Sequence, residues 1–200
     1  MMIRHPKPAI LLALLLALAA CRQEVAQDIG PRDMSAETLG HYCQMNLLEH
    51  PGPKAQVHLQ GMEGMPLFFS QVRDAIAYLR APEQMAPVLA VYVNDMGRPG
   101  ATWEAPGEGN WLAAQDAFYV LGSAREGGMG APETVPFGSR DAALAFAAAE
   151  GGQVLVLDEI ADEMVLAPVE MGHGHDHGAD EDADFERRLR ALARPAGAEP

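Results

Sequence analysis

The chain has 200 residues with 28 acidic and 14 basic side chains, which gives a formal net charge of −14 at neutral pH. An acidic surface repels nucleic acid and anionic lipid headgroups, so nucleic-acid binding is excluded as a function. The stretch from residue 39 to residue 169, about 130 residues, is long enough for one ordinary domain or two small ones.

The N-terminus has the pattern of an export signal. Basic residues precede an apolar run over residues 9–20, which is too short to span a bilayer comfortably. The run ends Leu18-Ala19-Ala20-Cys21, which resembles the lipobox of bacterial lipoproteins and implies cleavage before Cys21 and acylation of that residue. Several acyl chains hold a protein stably on a membrane. A single uncleaved membrane anchor is the alternative.

Cleavage before Cys21 changes both the charge and the predicted location. It removes Arg4 and Lys7 and no acid, so the mature chain carries −16. Arg22, rather than Asp, follows the lipidated residue, which favours the outer membrane over the inner one. The next residues are polar with little periodicity, and we predict a flexible tether over residues 21–38.

From residue 39 onwards, a pattern of strands and helices occurs twice. The triplet Arg-Asp-Ala stands at residues 73–75 and again at 140–142, 67 positions later. Each triplet lies in a predicted helix with a serine, Ser70 or Ser139, as its expected N-cap. Apolar segments predict flanking strands at residues 55–59, 88–93, 117–121 and 153–157. We therefore predict an α+β fold of two similar ββαβ units in tandem, residues 39–105 and 106–170.

The first unit begins with a Cys-x-Met element formed by Cys43 and Met45. Once Cys21 carries lipid, Cys43 is a lone thiol in an oxidising compartment, which is a liability unless it has a purpose. A thiolate and a thioether are soft donors that select Cu(I). In an extended segment both side chains would project from one face. A small buried cysteine beside a methionine that fills the core is the alternative.

Further ligands could come from several places. Met129 lies in the Gly-rich segment G-G-M-G, and Met96 lies in a turn where it could instead be a simple exposed residue. His50 precedes a stiff Pro-Gly-Pro turn, and His41 stands two positions before the cysteine. His58 alternates with apolar neighbours in a predicted strand, so we expect it to face solvent.

The C-terminal segment, residues 171–200, is predicted to be a disordered tail rich in histidine and acids. His173, His175 and His177 alternate with glycine and aspartate, a composition that accepts Cu(II), Ni(II) or Zn(II) with low specificity. Such a tail could collect or buffer copper beside the sulfur site. A soluble tail without this role is the alternative.

The ordered set of features resembles the NosL family. The matching features are lipobox Cys21, Cys43-x-Met45 with the following E-H-P-G-P-K-A-Q, and the Met129-Gly130 segment, in which the methionine matches one of the family. The resemblance implies two similar ββαβ units and a copper-binding lipoprotein accessory to nitrous oxide reductase. Family members often carry Cys-x-x-Cys-x-Met. Here the first cysteine position is Gly40, so Cys43 is the sole thiolate donor.

The function implied by this resemblance is a lipid-anchored Cu(I) metallochaperone on the periplasmic side of the membrane, not an enzyme. It would deliver Cu(I) to apo nitrous oxide reductase in concert with a membrane ABC-type transporter complex. One alternative is a non-metal adaptor of the same assembly pathway. Another is a thiol enzyme, which usually needs a second cysteine or a paired base that this chain does not offer at a recognisable spacing.

Overall fold

A computed structural model describes residues 26–168 and 187–188. Residues 26–167 belong to one compact unit, and a second unit begins at Pro168. Every strand that the structure describes lies in the first unit. Among the described helices, none has both the length and the apolar character that crossing a bilayer requires.

The first half of the compact unit contains a four-stranded antiparallel sheet with the strand order β2-β1-β3-β4. A short α-helix joins β2 to β3. The bounds of the elements are β1 Ala55–Leu59, β2 Leu67–Phe69, α1 Val72–Arg80, β3 Val88–Val93 and β4 Leu112–Ala113.

The second half contains a three-stranded antiparallel sheet with the order β6-β5-β7, followed by a short helix. Its elements are β5 Phe118–Leu121, β6 Val135–Phe137, α2 Arg140–Glu150, β7 Gln153–Val156 and α3 Asp162–Leu166. Short 3-10 turns lie at Leu47–Glu49, Ala114–Asp116 and Leu157–Glu159.

The α+β class is confirmed as two antiparallel sheets with short helices. The order strand, strand, helix, strand occurs in both halves, and the predicted strands lie within a residue of their expected positions. Strand β4 was not predicted from the sequence. This strand pairs with β3 through Tyr92 and Ala113, so residues beyond the predicted boundary at 105 complete the first sheet.

Helices α1 and α2 begin in different ways. Ser139 caps α2 as predicted, because its Oγ accepts a hydrogen bond from the amide of Ala142 at 3.2 Å. Ser70 does not cap α1, so that prediction is wrong. The amide of Arg73 instead donates to Oε1 of Glu133 at 3.1 Å, and a carboxyl group from the second half of the chain takes the place of a local cap.

One apolar core joins the two halves. Val57 and Phe69 from the first sheet and Ile76 from α1 pack in the same buried cluster as Tyr119 and Leu121 from β5. The hydroxyl of Tyr119 donates to the carbonyl of Ala114 at 2.6 Å, which satisfies the polar end of this buried ring. A smaller cluster lies between β5, β6 and α2. The halves are therefore held together by shared burial of apolar surface.

The segment before residue 34 packs against the first sheet. The amide of Arg32 donates to Oε1 of Gln56 at 2.8 Å, and the side chain of Gln27 donates to the carbonyl of Leu59 at 2.8 Å. This part of the predicted tether thus contacts the domain. It also covers β1, so His58 is fully buried with its Nε2 3.0 Å from Oε1 of Gln56. The prediction that His58 faces solvent is wrong for this reason, and burial lowers its pKa.

Candidate metal centre

The Cys-x-Met element lies in a closed turn and not in an extended segment. The amide of Gly40 donates to the carbonyl of Met45 at 3.0 Å, and the amide of Gln44 donates back to the carbonyl of Gly40 at 2.9 Å. Gln44 has a φ of 56°, a left-handed conformation that reverses the chain between the two sulfur residues. Cys43 and Met45 therefore do not project from one face of an extended segment, and are instead held on one tight turn.

The thiol of Cys43 is free and half-buried within the described part of the chain. Its Sγ lies so close to Gly40 that a β-carbon on residue 40 would clash with it. The side chain of Leu47 closes the other side of that space, 3.2 Å from the same position. Met45 is 41% exposed, so the turn offers one sheltered and one accessible sulfur.

His41 packs among aromatic rings beside this turn. Its ring centroid lies 5.5 Å from that of Phe69 and 5.7 Å from that of Tyr78, both in edge-on contacts. Its amide donates to the carbonyl of Phe68 at 2.6 Å. These contacts anchor the turn on β2 and give His41 a packing role.

His50 contacts the Gly-rich segment that carries Met129, although 78 residues separate His50 from Gly128. The Nδ1 of His50 lies 2.9 Å from the carbonyl oxygen of Gly128. A carbonyl oxygen can only accept, so Nδ1 carries the proton and Nε2 keeps its lone pair in the neutral ring. This arrangement is typical of histidines that bind metals.

The two candidate methionines differ in their surroundings. Met129 is half-buried in a tight turn, closed by a 2.8 Å hydrogen bond from the amide of Gly127 to the carbonyl of Ala131. Met96 packs against the smaller apolar cluster, and its amide donates to the carbonyl of Pro136 at 2.9 Å. Packing therefore accounts for the side chain of Met96, whereas Met129 directly follows Gly128, the residue that His50 contacts.

Two buried ionisable side chains, which the sequence analysis did not identify, lie near the same turns. Lys54 is 1% exposed, and its Nζ donates to the carbonyl oxygens of Pro51, at 3.0 Å, and Gly52. Burial lowers the pKa of Lys54 to about 8. Glu133 accepts from two amides through Oε1, and its buried Oε2 has no hydrogen-bond partner among the described residues.

Across residues 26–168 and 187–188, no group of three or more His, Cys, Asp or Glu side chains is placed to hold a metal ion. A site made of one cysteine and several methionines does not need such a group, since the thioethers supply the remaining donors. Thiolate and thioether sulfurs are soft donors, unlike the oxygen ligands that hard cations prefer.

The sequence model of the NosL family matches residues 31–165 of this chain. The chain is 67% identical over 185 residues to the copper-binding lipoprotein NosL of Achromobacter cycloclastes, which covers 92% of this chain and 94% of that protein. The chain belongs to the NosL family. It is also 34% identical over 174 residues to the copper-binding lipoprotein NosL of Stutzerimonas stutzeri, covering 84% and 88% of the two chains.

The fold resembles that of a solved NosL protein. The crystal structure of the copper chaperone NosL from Shewanella denitrificans aligns with a TM-score of 0.60 at 30% identity, covering 66% of this chain and 96% of that chain. The resemblance to the NosL family that the sequence indicated is therefore confirmed. Cys21 and the tail histidines, His173, His175 and His177, lie outside the described residues.

Within this NosL fold, Glu133 gives a testable pH dependence. Burial raises the pKa of Glu133 from 4.5 to about 8, so the folded protein holds this proton more tightly than the unfolded chain does. Between these two values the free energy of unfolding falls as the pH rises, by up to about 1.4 kcal/mol per pH unit from this group. We expect Glu133→Gln to remove that slope, as measured by urea unfolding at a series of pH values.

The matched control for this measurement is Glu63→Gln, which changes an exposed carboxylate. Its pH dependence should follow that of the wild type. Parallel curves for Glu133→Gln and the wild type between pH 5 and pH 8 would contradict the raised pKa of Glu133.

Proposed function

We propose that this chain is a lipid-anchored Cu(I) metallochaperone that delivers copper for assembly of the copper centres of nitrous oxide reductase. Membership of the NosL family supports the proposal, as do relatives described as copper-binding lipoproteins and a solved relative described as a copper chaperone. The observation that carries it is the free, half-buried thiol of Cys43 on a hydrogen-bonded turn that also presents Met45. The role is that of a carrier and not of an enzyme.

The proposed ligands of Cu(I) are Cys43, Met45 and Met129. The first two share one turn, and soft sulfur donors match a soft ion. His50 is the nitrogen that could complete the set, because its hydrogen bond to Gly128 points Nε2 away from that carbonyl and places the ring beside the Met129 turn. A site with few protein ligands and one exposed sulfur suits an ion that must be passed on.

We infer that acylated Cys21 holds the protein on the periplasmic side of a membrane, with the outer membrane favoured by Arg22. The proposed partners are apo nitrous oxide reductase and the membrane ABC-type transporter complex of the maturation pathway. The two ββαβ halves would be similar units of one family fold. His173, His175 and His177 would form a second, weaker site that buffers copper beside the sulfur site.

The ligand set is tested by X-ray absorption on the Cu(I)-loaded protein and on the variants Met45→Ala and Met129→Ala. We expect each variant to lose one sulfur neighbour of the copper. Each should also raise the Kd measured by chelator competition by at least about tenfold, or 1.4 kcal/mol.

The matched controls are Met65→Ala and Met85→Ala, which remove exposed thioethers from the loops that precede β2 and β3. These controls should leave the copper spectrum and the Kd unchanged. A copper spectrum with the same number of sulfur neighbours in Met129→Ala as in the wild type would remove Met129 from the set.

A further inference from the structure

Exposed apolar side chains surround the turn that carries Cys43. Leu39, Tyr42 and Leu48 are 51%, 54% and 53% exposed, and Met45 stands among them at 41%. We call these four residues the apolar ridge. Large apolar side chains scattered singly on a surface need no explanation, but four of them within ten residues that include the thiol concentrate exposed apolar surface beside the site.

A pocket of about 290 Å³ adjoins the apolar ridge, with Leu48 belonging to both. Its apolar wall includes Met34, Leu47 and Trp111, and three carboxylates, Asp33, Glu104 and Glu108, also line it. We call it the acidic pocket. Oδ1 of Asp33 accepts from the amide of Gly109 at 2.9 Å and from Nε1 of Trp111 at 3.2 Å, so that carboxylate is held in place.

The charge of the acidic pocket favours a cationic ligand. Glu104 and Glu108, which line it, are both exposed. The one lysine that lines it, Lys54, is 1% exposed and directs its Nζ to the carbonyl oxygens of Pro51 and Gly52. Three carboxylates therefore face one lysine that already has partners, and His50 lines the same pocket.

The apolar ridge is held in one conformation by local hydrogen bonds. The side chain of Asn46 accepts from the amide of Leu48 at 3.0 Å and donates to the carbonyl of Ala36 at 2.9 Å. The amide of Leu47 donates to the carbonyl of Thr38 at 3.0 Å. A surface that is already ordered loses little conformational entropy when a partner binds.

We propose that the apolar ridge and the acidic pocket together form the docking surface for the protein that accepts the copper, and that this partner presents a lysine or arginine side chain beside an apolar patch. The inference rests on the proposed function. Direct transfer without release of Cu(I) into water requires the ligands of the accepting protein to come into contact with the ligands of this one. The accepting protein must therefore cover the surface around Cys43. The apolar ridge supplies the area, and the acidic pocket supplies the charge that orients the partner.

A lipid surface fits this face less well than a protein does. Anionic headgroups would meet the carboxylates of Asp33, Glu104 and Glu108, which repel them. A second copy of this strongly acidic chain would bring like charges together. A cationic patch on a different protein satisfies both the apolar and the charged parts of the surface.

The test is the double variant Glu104→Lys/Glu108→Lys in the full-length chain. Its rate of Cu(I) transfer is measured to each of the two proposed partners, purified apo nitrous oxide reductase and the purified transporter complex. We expect transfer to at least one of them to slow by about tenfold or more, and its dependence on salt to weaken. The Kd for Cu(I) should stay at the wild-type value, because neither carboxylate is a proposed ligand.

The matched control is Glu63→Lys/Glu83→Lys, which makes the same change in net charge at exposed positions outside the acidic pocket. It should transfer copper at the wild-type rate. A second variant, Leu39→Ser/Leu48→Ser, tests the apolar ridge and should also slow transfer while the protein stays folded, since both side chains are exposed.

The outcomes separate the docking surface from the proposed function. Wild-type transfer rates in both docking variants would overturn the docking surface and leave the chaperone role intact. A wild-type protein that binds Cu(I) but passes it to neither partner would overturn both. Dimerisation in sedimentation measurements that Leu39→Ser/Leu48→Ser abolishes would assign the surface to a second copy and overturn the proposal.

Discussion

Cys43→Ala is expected to abolish tight Cu(I) binding, with a rise in Kd of at least about a thousandfold, or 4 kcal/mol. The thiolate of Cys43 is the only charged soft donor among the proposed ligands, while the thioethers and the imidazole are neutral. Its removal takes away the strongest bond to copper. The Kd is measured by competition with a Cu(I) chelator of known affinity.

The variant should fold normally, because Cys43 is half-buried and makes no disulfide in the described structure. Equal urea midpoints for the variant and the wild type would confirm that the loss of Cu(I) binding does not come from unfolding. The wild-type affinity should also fall as the pH is lowered, since protons compete with copper for the thiolate. Tight binding that survives Cys43→Ala would refute the assignment of the site.

Elements that depend on local pattern could be predicted from the sequence. The run Val88–Val93 is β-branched and apolar, and the structure forms β3 over those residues. Ser139 and Gly151 mark the two ends of α2 through their own capping behaviour. In these segments the determining interactions lie within a few residues of one another, so the sequence contains them.

Elements that depend on distant contacts could not be predicted. The alternation of polar and apolar residues around His58 is typical of a strand with one solvent-exposed face. In the structure, residues 26–32 cover that face and bury the imidazole. Ser70 has the residue type and position of a helix cap. The acceptor for the amide of Arg73 is instead Glu133, 60 residues away in the sequence. The burial of His58 and the capping of α1 therefore both depend on residues that are remote in the sequence.

The candidate site shows the same division. Cys43 and Met45 stand out by residue type, because a lone exported thiol beside a thioether is unusual in itself. Their closed turn depends on the left-handed conformation of Gln44, a residue type that gives little local signal for it. The contact between His50 and Gly128 spans the two halves of the chain and becomes visible only once they pack.

The aromatic packing under the Cys43 turn gives the second large prediction. Phe69 is 1% exposed, and its ring lies 5.2 Å from that of Tyr42 and 5.6 Å from that of Tyr78. Phe69→Ala would leave a cavity beneath the turn and is expected to lower the free energy of unfolding by about 4 kcal/mol. That is a large fraction of the stability of an ordinary domain, and urea unfolding measures it.

The adjacent residue in β2 provides the matched control. Phe68 is half-buried and its ring centroid lies 6.3 Å from that of Trp111, so Phe68→Ala removes an equal volume from a less enclosed place. We expect it to cost about half as much or less. Equal losses in the two variants would show that Phe69 has no special role under the turn.

If the cavity loosens the turn that binds copper, addition of Cu(I) should restore part of the stability that Phe69→Ala loses. A ligand that binds only the folded state adds stability in proportion to the logarithm of its concentration over Kd. Phe69→Ala should therefore gain stability on addition of Cu(I), but less than the wild type, because its turn is less well held and its Kd is higher. The same gain in both proteins would mean that the ring of Phe69 supports the fold and leaves the copper site unaffected.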